Sequence, residues 1–440
     1  MGSWLNEKVM PQVMRFVNTP AIQALKDGMV GTIPLIITGS IFLILGQLPV
    51  EALAEAIRNA GLEELFLKAY GATFQINAIV AVTGIAYAYI KNAGYEPYSG
   101  CMVALGSFLT IQPNARDIFD ESGEVIGTAS SIIDKTWTGG QGMVAAIIVG
   151  LLVGWGYSAI LRRDIRIRMP EGVPEGVANA FTALIPAMVI ITVTMILEGI
   201  ATLGFGDDLI SLIYTWIGIP LQGLTDSYVG VLVATFLISF LWFFGVHGSS
   251  VVSGVLGGIW TANYLENEEL FQAGNLTLDT GHIVTQQFVD QFITVTGSGL
   301  TVGIAIYCLF FAKSEQFKTL GRLEIGPAIF NINEPILFGI PIVMNPILGV
   351  PFILVPMFSA TIEYVAIATG LCPMYRGILV PWTTPPIISG FLVGDWRTAV
   401  LQLVIIVMSI IVYFPFIRIV DKQAVVAQET STEDDDDEDW

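Results

Sequence analysis

The sequence is poor in several residue types, and each scarcity excludes a class of protein. Charged residues make up only 13% of the 440 residues, whereas hydrophobic residues make up 54%. This balance excludes a soluble globule and indicates a polytopic membrane protein. The three cysteines, Cys101, Cys308 and Cys372, show no CxxC or zinc-ligand spacing. Neither a disulfide framework nor a metal site is therefore expected.

Nucleotide-binding motifs are also missing. The sequence has no P-loop and no GxGxxG after a strand pattern, so ATP hydrolysis, a cofactor and nucleic-acid binding are not expected. Much of the formal charge of −19 is local, because the acidic run EDDDDED occupies 433–439. Such runs are usually solvated and disordered, which predicts a disordered tail at 423–440. Energy for transport must then come from an ion gradient or from a partner.

Apolar runs predict an all-α membrane protein with about ten spans of roughly 20 residues each. Two re-entrant, proline-broken hairpins and interfacial amphipathic helices complete the predicted architecture. The predicted spans are 29–47, 76–90, 100–111, 143–161, 178–200, 229–244, 251–262, 293–311, 350–369 and 399–417.

Basic residues give these spans an orientation. The cluster LRRDIRIR at 161–168 follows the fourth span, and the positive-inside rule places it in the cytoplasm. The polar segment 113–140 and a loop at 263–290 are placed outside, and 5–27 and 50–74 are interpreted as surface helices. Ten spans then leave both termini in the cytoplasm.

The stretch 330–345, FNINEPILFGIPIVMN, cannot form an ordinary span. Proline interrupts any helix here, and freed backbone groups at membrane depth must find protein or water as partners. A re-entrant element near 327–346 meets both demands and marks the substrate site in transporters. Glu334 is therefore the candidate functional residue of this element, and it lies among polar neighbours that include Asn331 and Asn333. A buried Glu that only pairs with a neighbouring helix is the alternative.

A second proline-broken segment, 377–393, predicts a second re-entrant element. Within it, Trp382 could stack on the apolar face of a pyranose ring, and Thr383 adds a hydroxyl group. An interfacial belt tryptophan is the alternative for Trp382. Trp242 is a weaker candidate for the same role.

His247 lies in WFFGVHGSS between Gly245 and Gly248, which permit close backbone approach. A neutral imidazole can donate and accept a hydrogen bond at once, and this suits a sugar hydroxyl. A satisfied core histidine is the alternative, and it is the interpretation given to His282, the only other histidine.

Candidate site residues are concentrated in the second half of the sequence. We therefore predict a scaffold or dimerisation half at 1–227 and a transport half at 228–422. Three further ionisable residues in or near spans receive no role: Lys91, Glu198 and Glu363.

With the motifs NEPILFGIPIVMNP, WFFGVHG, TGSG and VPWTTPP, the chain resembles the membrane-embedded IIC component of bacterial phosphotransferase-system sugar transporters of the lactose/cellobiose/diacetylchitobiose family. The resemblance covers nearly the whole length. It implies a homodimer of ten-span subunits in the plasma membrane of a bacterial cell, in which two opposed hairpins of each subunit hold the sugar. Glu334 and His247 match the family's essential glutamate and its histidine, which implies that they are the catalytic residues. Asn331, Asn333 and Trp382 match sugar-pocket positions, and Thr296 stands where a glycine is expected before GSG.

The resemblance also implies a mechanism. A separate cytoplasmic IIB protein, phosphorylated on cysteine and supplied indirectly by IIA, would pass its phosphoryl group to the 6-hydroxyl of a bound disaccharide. Glu334 would orient or deprotonate that hydroxyl, and His247 would hold it. The chain would then be the permease subunit of a sugar phosphotransferase.

Two other functions remain open from the sequence. A cation-coupled sugar symporter would use Glu334 as a titrating group, with Glu363 as a second candidate. A membrane enzyme or scaffold without transport would use its polar residues for helix association.

Overall fold

The structure, a computed structural model, describes residues 11–12, 15, 18–46, 51–119, 125–170, 172–340, 342–376 and 379–437. Its helices are α1 (Pro20–Val30), α2 (Ile33–Gly46), α3 (Glu51–Asn59), α4 (Leu62–Thr73), α5 (Asn77–Asn92), α6 (Tyr98–Thr110), α7 (Lys135–Thr138), α8 (Met143–Arg162), α9 (Glu175–Ile200), α10 (Leu209–Ile213), α11 (Ile219–Asp226), α12 (Tyr228–Phe243), α13 (Gly248–Gln272), α14 (Gln286–Phe288), α15 (Val302–Phe310), α16 (Glu315–Ile329), α17 (Glu334–Gly339), α18 (Pro346–Ala368), α19 (Ile388–Val393) and α20 (Trp396–Asp437). The chain is thus mainly helical, as the sequence predicts.

Six helical stretches of the described chain are long and apolar enough to cross a membrane, and a seventh follows if Leu209–Asp226 and Tyr228–Phe243 count as one bent span. The six are Pro20–Leu43, Leu62–Asn92, Met143–Arg162, Glu175–Phe205, Pro346–Ala368 and Trp396–Val426. The protein is therefore a multi-pass membrane protein. The count of ten spans stays a prediction.

The chain forms two compact units. The first unit contains Val9–Thr225 and Ser253–Asn275, and the second contains Asp226–Val252 and Leu276–Trp440. In the first unit α5 packs against α1, α6 and α8. The α1 and α5 backbones approach closely at Gly28, where a Cβ would lie 2.5 Å from the backbone of Ile85. Any larger residue at position 28 would therefore push these helices apart.

The first unit also contains a structure that the all-α prediction did not include. Strands β1 (Ala115–Phe119) and β2 (Val125–Ser130) form an antiparallel hairpin, with Ala115 opposite Ser130. The hairpin lies within the segment 113–140. Its alternation signal is weak because both of its faces are largely exposed, so no buried face imposes a period of two.

Helix α13 is longer than the predicted seventh span. It continues to Gln272, so the expectation of a loop from residue 263 is wrong for its first ten positions. Four polar residues of this extension are buried in the first unit, and Glu266 accepts a hydrogen bond from Gln222 at 2.6 Å. The buried polar residues are Asn263, Glu266, Asn267 and Glu268. Helix continuation satisfies the backbone, and the Nε2 atom of Gln272 donates a second side-chain hydrogen bond, to the Glu268 carboxylate at 2.5 Å.

The second unit is organised along two long helices. α12 packs along α18, while α15, α18 and α19 pack against α20. α18 begins where Asn345 caps it, because the Oδ1 atom accepts from the backbone N–H groups of Ile347 (2.9 Å) and Leu348 (3.2 Å). α20 continues as helix to Asp437, through most of the segment 423–440 that the sequence predicts to be a disordered tail.

The predicted eighth span, 293–311, is not continuous. Only Val302–Phe310 forms the helix α15, and irregular turns occupy 294–301. A single-turn π-helix at Val289–Ile293 precedes these turns. Such π turns often occur at functional sites. The break places non-helical backbone inside the second unit.

Candidate functional site

The irregular turn 294–301 contains the sequence motif TGSG and has unusual backbone geometry. Thr296, Gly297, Gly299 and Leu300 all have positive φ, at 59°, 91°, 84° and 50°. Thr296 therefore adopts the left-handed conformation that would favour the glycine expected at this position. Non-glycine residues in this region store strain, and such residues cluster at functional sites. We call residues 294–301 the strained turn.

Asn331 connects the strained turn to the second proline-broken segment. Its Oδ1 atom accepts a hydrogen bond from the backbone N–H of Thr296 at 2.7 Å. Its Nδ2 atom donates to the carbonyl oxygens of Trp382 (2.5 Å) and Thr384 (2.9 Å). The side chain is 4% exposed and φ is +62°, a conformation that asparagine tolerates. Asn331 thus joins three segments that are remote in sequence.

Asn333 makes a second connection to the strained turn. Its Nδ2 atom donates to the carbonyl oxygen of Ser298 at 2.8 Å and to the Oγ1 atom of Thr301 at 2.7 Å. A Cβ atom on Gly297 would collide with the Asn333 side chain. The amide hydrogens of both asparagines therefore bond to protein. Their role as sugar ligands stays a prediction, whereas their role in holding the turn follows from these contacts.

Two glutamines hold the segment before Trp382. The Oε1 atom of Gln287 accepts from the backbone N–H of Val380 at 3.1 Å, and the Nε2 atom of Gln291 donates to the carbonyl oxygen of Val380 at 3.0 Å. Both side chains are fully buried. Sequence reasoning does not find either glutamine, because the partner Val380 lies 93 and 89 positions away.

Gln402 performs the same task from α20. Its Oε1 atom accepts from the backbone N–H groups of Ile387 (2.6 Å) and Gly390 (2.9 Å). Its Nε2 atom donates to the carbonyl oxygen of Gln291 and to the Oγ atom of Ser389, both at 2.8 Å. The sequence does contain a signal for Gln402, since a carboxamide within an apolar span needs a polar partner.

His247 lies in the turn between α12 and α13. The turn is possible because Gly245 has φ of +80° and because a Cβ atom on Gly248 would collide with the carbonyl oxygen of Ile238. The imidazole packs against Trp242, with ring centroids 4.6 Å apart and planes inclined by 49°. His247 is exposed, whereas Trp242 is 6% exposed. Trp242 therefore supports the histidine ring.

Two contacts bring the His247 turn to the rest of the site. The Oγ atoms of Ser249 and Ser298 are 3.1 Å apart. The backbone N–H of Met344 donates to the carbonyl oxygen of Phe243 at 3.0 Å. The turn that carries His247, the strained turn and the stretch 330–345 therefore meet within the second unit.

Trp382 presents its indole outward from the second proline-broken segment. The side chain is 53% exposed, while its carbonyl oxygen is held by Asn331. The backbone N–H of Thr384 donates to the carbonyl oxygen of Pro381 at 2.9 Å, and this turn also contains Thr383. An exposed indole on a fixed backbone can serve as a stacking surface, but its role as a ligand stays a prediction.

Glu334 is the first residue of α17, and it directly follows the buried Asn333. The backbone N–H groups of Ile336 and Leu337 both donate to the carbonyl oxygen of Asn333, at 3.1 and 3.0 Å. The Glu334 backbone is thereby fixed beside the strained turn. Its side chain lies outside the described part of the structure.

The remaining ionisable residues singled out above lie in other surroundings. Glu198 accepts a hydrogen bond from the backbone N–H of Leu209 at 3.0 Å, and the Lys91 ammonium lies 5.7 Å from the Tyr87 ring centre. Glu363 is fully buried in α18. His282 lies 3.2 Å from the Asp226 carboxylate, in keeping with a structural role. Within the described residues, no cluster of His, Cys, Asp or Glu side chains could hold a metal ion.

Comparisons with known proteins give one family. The family model described as "Phosphotransferase system, EIIC" matches residues 26–356. The lichenan permease IIC component of Bacillus subtilis is 38% identical, with 95% of this chain and 93% of that protein covered. The cellobiose-specific EIIC component of Geobacillus stearothermophilus is 37% identical, with 97% and 95% covered.

A solved structure is similar over almost the whole chain. It is the crystal structure of the transporter ChbC, the IIC component of the N,N'-diacetylchitobiose-specific phosphotransferase system. The two structures align with a TM-score of 0.91 and 34% sequence identity, and the alignment covers 97% of this chain and 99% of ChbC. The similarity therefore includes the second unit with its broken helices.

Proposed function

This chain belongs to the EIIC family of the phosphotransferase system and is a membrane-spanning sugar permease of that system, and we propose that it delivers a β-linked disaccharide for phosphorylation on the 6-hydroxyl. Cellobiose and diacetylchitobiose are the proposed substrates. The names of the similar proteins support this choice, since they give lichenan, cellobiose and N,N'-diacetylchitobiose as the sugars. The permease works with a IIB protein.

The convergence of three broken segments carries the proposal. Asn331 ties the strained turn to the backbone of Trp382 and Thr384, and Glu334 follows only three positions later. A polar, non-helical centre of this kind is how membrane transporters build a substrate site. Trp382 would cover one face of a sugar ring, while Thr383 would add a hydroxyl contact.

The proposed chemistry is a transfer between two proteins at this centre. The S–P bond of phosphocysteine on IIB breaks, a new O–P bond forms at the sugar O6, and the thiolate leaves. The O6 proton passes to the Glu334 carboxylate, while His247 holds the hydroxyl group in line. Positioning and electrostatic stabilisation dominate phosphoryl transfer, and a well-placed general base adds about 10²–10⁴-fold. The sugar phosphate is charged and is therefore retained inside the cell.

The arrangement in the membrane completes the proposal. We propose a homodimer of ten-span subunits with both termini in the cytoplasm, supplied with phosphoryl groups from IIA through IIB. The half 1–227 would be the scaffold and dimer contact, and the half 228–422 would carry the sugar. Asn331 and Asn333 would act on sugar binding indirectly, by holding the strained turn in position.

Uptake by membrane vesicles tests this function. Radiolabelled cellobiose is supplied with or without phosphoenolpyruvate and the soluble phosphotransferase proteins, and the internal sugar is then separated by chromatography. We expect sugar phosphate that depends on the phosphodonor. Unmodified sugar accumulating on a proton gradient alone would instead establish a symporter.

A further inference from the structure

The imidazole of His247 caps the first turn of α13. Its Nδ1 atom accepts a hydrogen bond from the backbone N–H of Ser250 at 3.1 Å and lies 2.9 Å from the Oγ atom of that residue. The backbone N–H of Val251 donates to the carbonyl oxygen of His247 at 3.2 Å. A side-chain acceptor three positions before a helical N–H is the arrangement that Ser, Thr, Asp or Asn normally provides.

This contact determines where the imidazole proton lies. A backbone N–H is always a donor, so the Nδ1 atom that receives it must present its lone pair. A neutral imidazole carries one proton on either Nδ1 or Nε2. We infer that the cap by Ser250 fixes His247 as the Nε2–H tautomer, so that His247 acts on the sugar as a hydrogen-bond donor and not as a base.

The surroundings of the ring support this assignment. Trp242 packs against the imidazole, with the ring centroids 4.6 Å apart, and this contact limits rotation of the ring. An imidazolium would set its Nδ1–H against the Ser250 N–H, and it would place positive charge at the positive end of a 25-residue helix. Both effects disfavour the charged ring in this orientation. The nitrogen that acts on the substrate is therefore Nε2.

The inference rests on the proposed function for its consequence at the sugar. A hydroxyl group that accepts from His247 Nε2–H directs its own hydrogen toward a different acceptor. In the proposed site that acceptor is the Glu334 carboxylate. The two residues then divide their roles, because His247 positions the oxygen while Glu334 receives the proton. A substrate analogue without this hydroxyl would lack the acceptor for the histidine donor and should bind more weakly.

Nitrogen NMR reads the tautomer without any transport assay. The full chain has two histidines, so His282→Asn leaves a single imidazole to observe. In the ¹⁵N-histidine-labelled protein at neutral pH and without sugar, we expect a protonated Nε2 and an unprotonated Nδ1. Ser250→Ala keeps the backbone N–H and should give the same spectrum. A protonated Nδ1 in either protein would overturn the inference, whatever the outcome for sugar phosphorylation.

Two substitutions separate the cap from the donor. The Asn side chain in His247→Asn can still accept from Ser250 N–H, but it has no donor at the Nε2 position. The Gln side chain in His247→Gln can place its amide hydrogens near that position, but it is a poorer cap. We expect His247→Asn to keep its thermal midpoint and lose at least tenfold in sugar affinity, and His247→Gln to show the opposite pattern. If His247→Asn bound sugar better than His247→Gln, the donor role would be wrong.

Discussion

The side-chain amide of Asn331 donates to the carbonyl oxygen of Trp382 at 2.5 Å across 51 positions of sequence. The same carboxamide accepts from the backbone N–H of Thr296. One buried side chain therefore satisfies backbone groups from two non-helical segments. In a membrane protein these groups have few other partners. The site thus depends on side-chain amides for its shape as well as for its chemistry.

Asn331→Ala should loosen this site. The substitution leaves the Thr296 N–H and two carbonyl oxygens without their partner, at a cost of about 1–3 kcal/mol for each unsatisfied group. We expect a lower thermal midpoint and weaker cellobiose binding, measured by thermal unfolding and calorimetry.

Asn345→Ala provides the matched control for that prediction. Asn345 lies in the same apolar stretch, and its side-chain hydrogen bonds within the described residues are those that cap α18, so its loss should cost about 1 kcal/mol. Its effect on sugar affinity should be the smaller of the two. Equal effects of both substitutions on affinity would show that Asn331 has no special connection to the site.

Trp382→Ala should weaken sugar binding. Removing a large aromatic surface from one face of a bound sugar loses about 1.5–3 kcal/mol of apolar contact, which corresponds to at least about a tenfold rise in Kd. Trp382→Phe retains a ring and should lose less. An unchanged Kd for the alanine variant would show that Trp382 is an interfacial belt tryptophan and not a sugar ligand.

Asp395 gives a prediction about acid stability outside the membrane spans. Burial by itself would raise the pKa of this carboxyl group, but hydrogen bonds from the Arg397 side chain (2.8 Å) and backbone outweigh burial and hold the pKa below the usual 3.8. A lowered pKa stabilises the folded state fully above pH 3.8, and this stabilisation is lost as the pH falls through the folded-state value. Wild type should therefore exceed Asp395→Asn in thermal midpoint at pH 6, and the difference should vanish in stronger acid.

Arg397→Gln removes the cause of that shift. In the Arg397→Gln protein, Asp395→Asn should change the thermal midpoint by nearly the same amount at every pH. A pH dependence that persisted without Arg397 would contradict the ion-pair explanation.

The sequence predicts the long apolar helices well, because an apolar run of sufficient length is enough to identify each of them. Met143–Arg162 and Tyr228–Phe243 are found within a few residues of the predicted spans 143–161 and 229–244. The stretch 330–345 was identified as broken because its prolines and polar residues exclude a regular span.

Hydropathy fails where tertiary contacts decide the backbone. The segment 293–311 is apolar enough for a span, yet Thr296 and Leu300 adopt left-handed conformations. Contacts from Asn331, remote in sequence, hold one of them there. The predicted loop at 263–290 includes Glu266, which is instead helical and bonded to Gln222, 44 positions away. Single-sequence periodicity cannot register such distant partners.

The role of Glu334 in phosphoryl transfer is the central claim, and it can be measured directly. Purified phospho-IIB is mixed with proteoliposomes that contain either wild type or Glu334→Gln and bound radiolabelled cellobiose, and the rate of sugar phosphate formation is followed in a single turnover. Our account predicts that the variant still binds cellobiose while its transfer rate falls by about 10²–10⁴-fold. A wild-type transfer rate in Glu334→Gln would contradict the account.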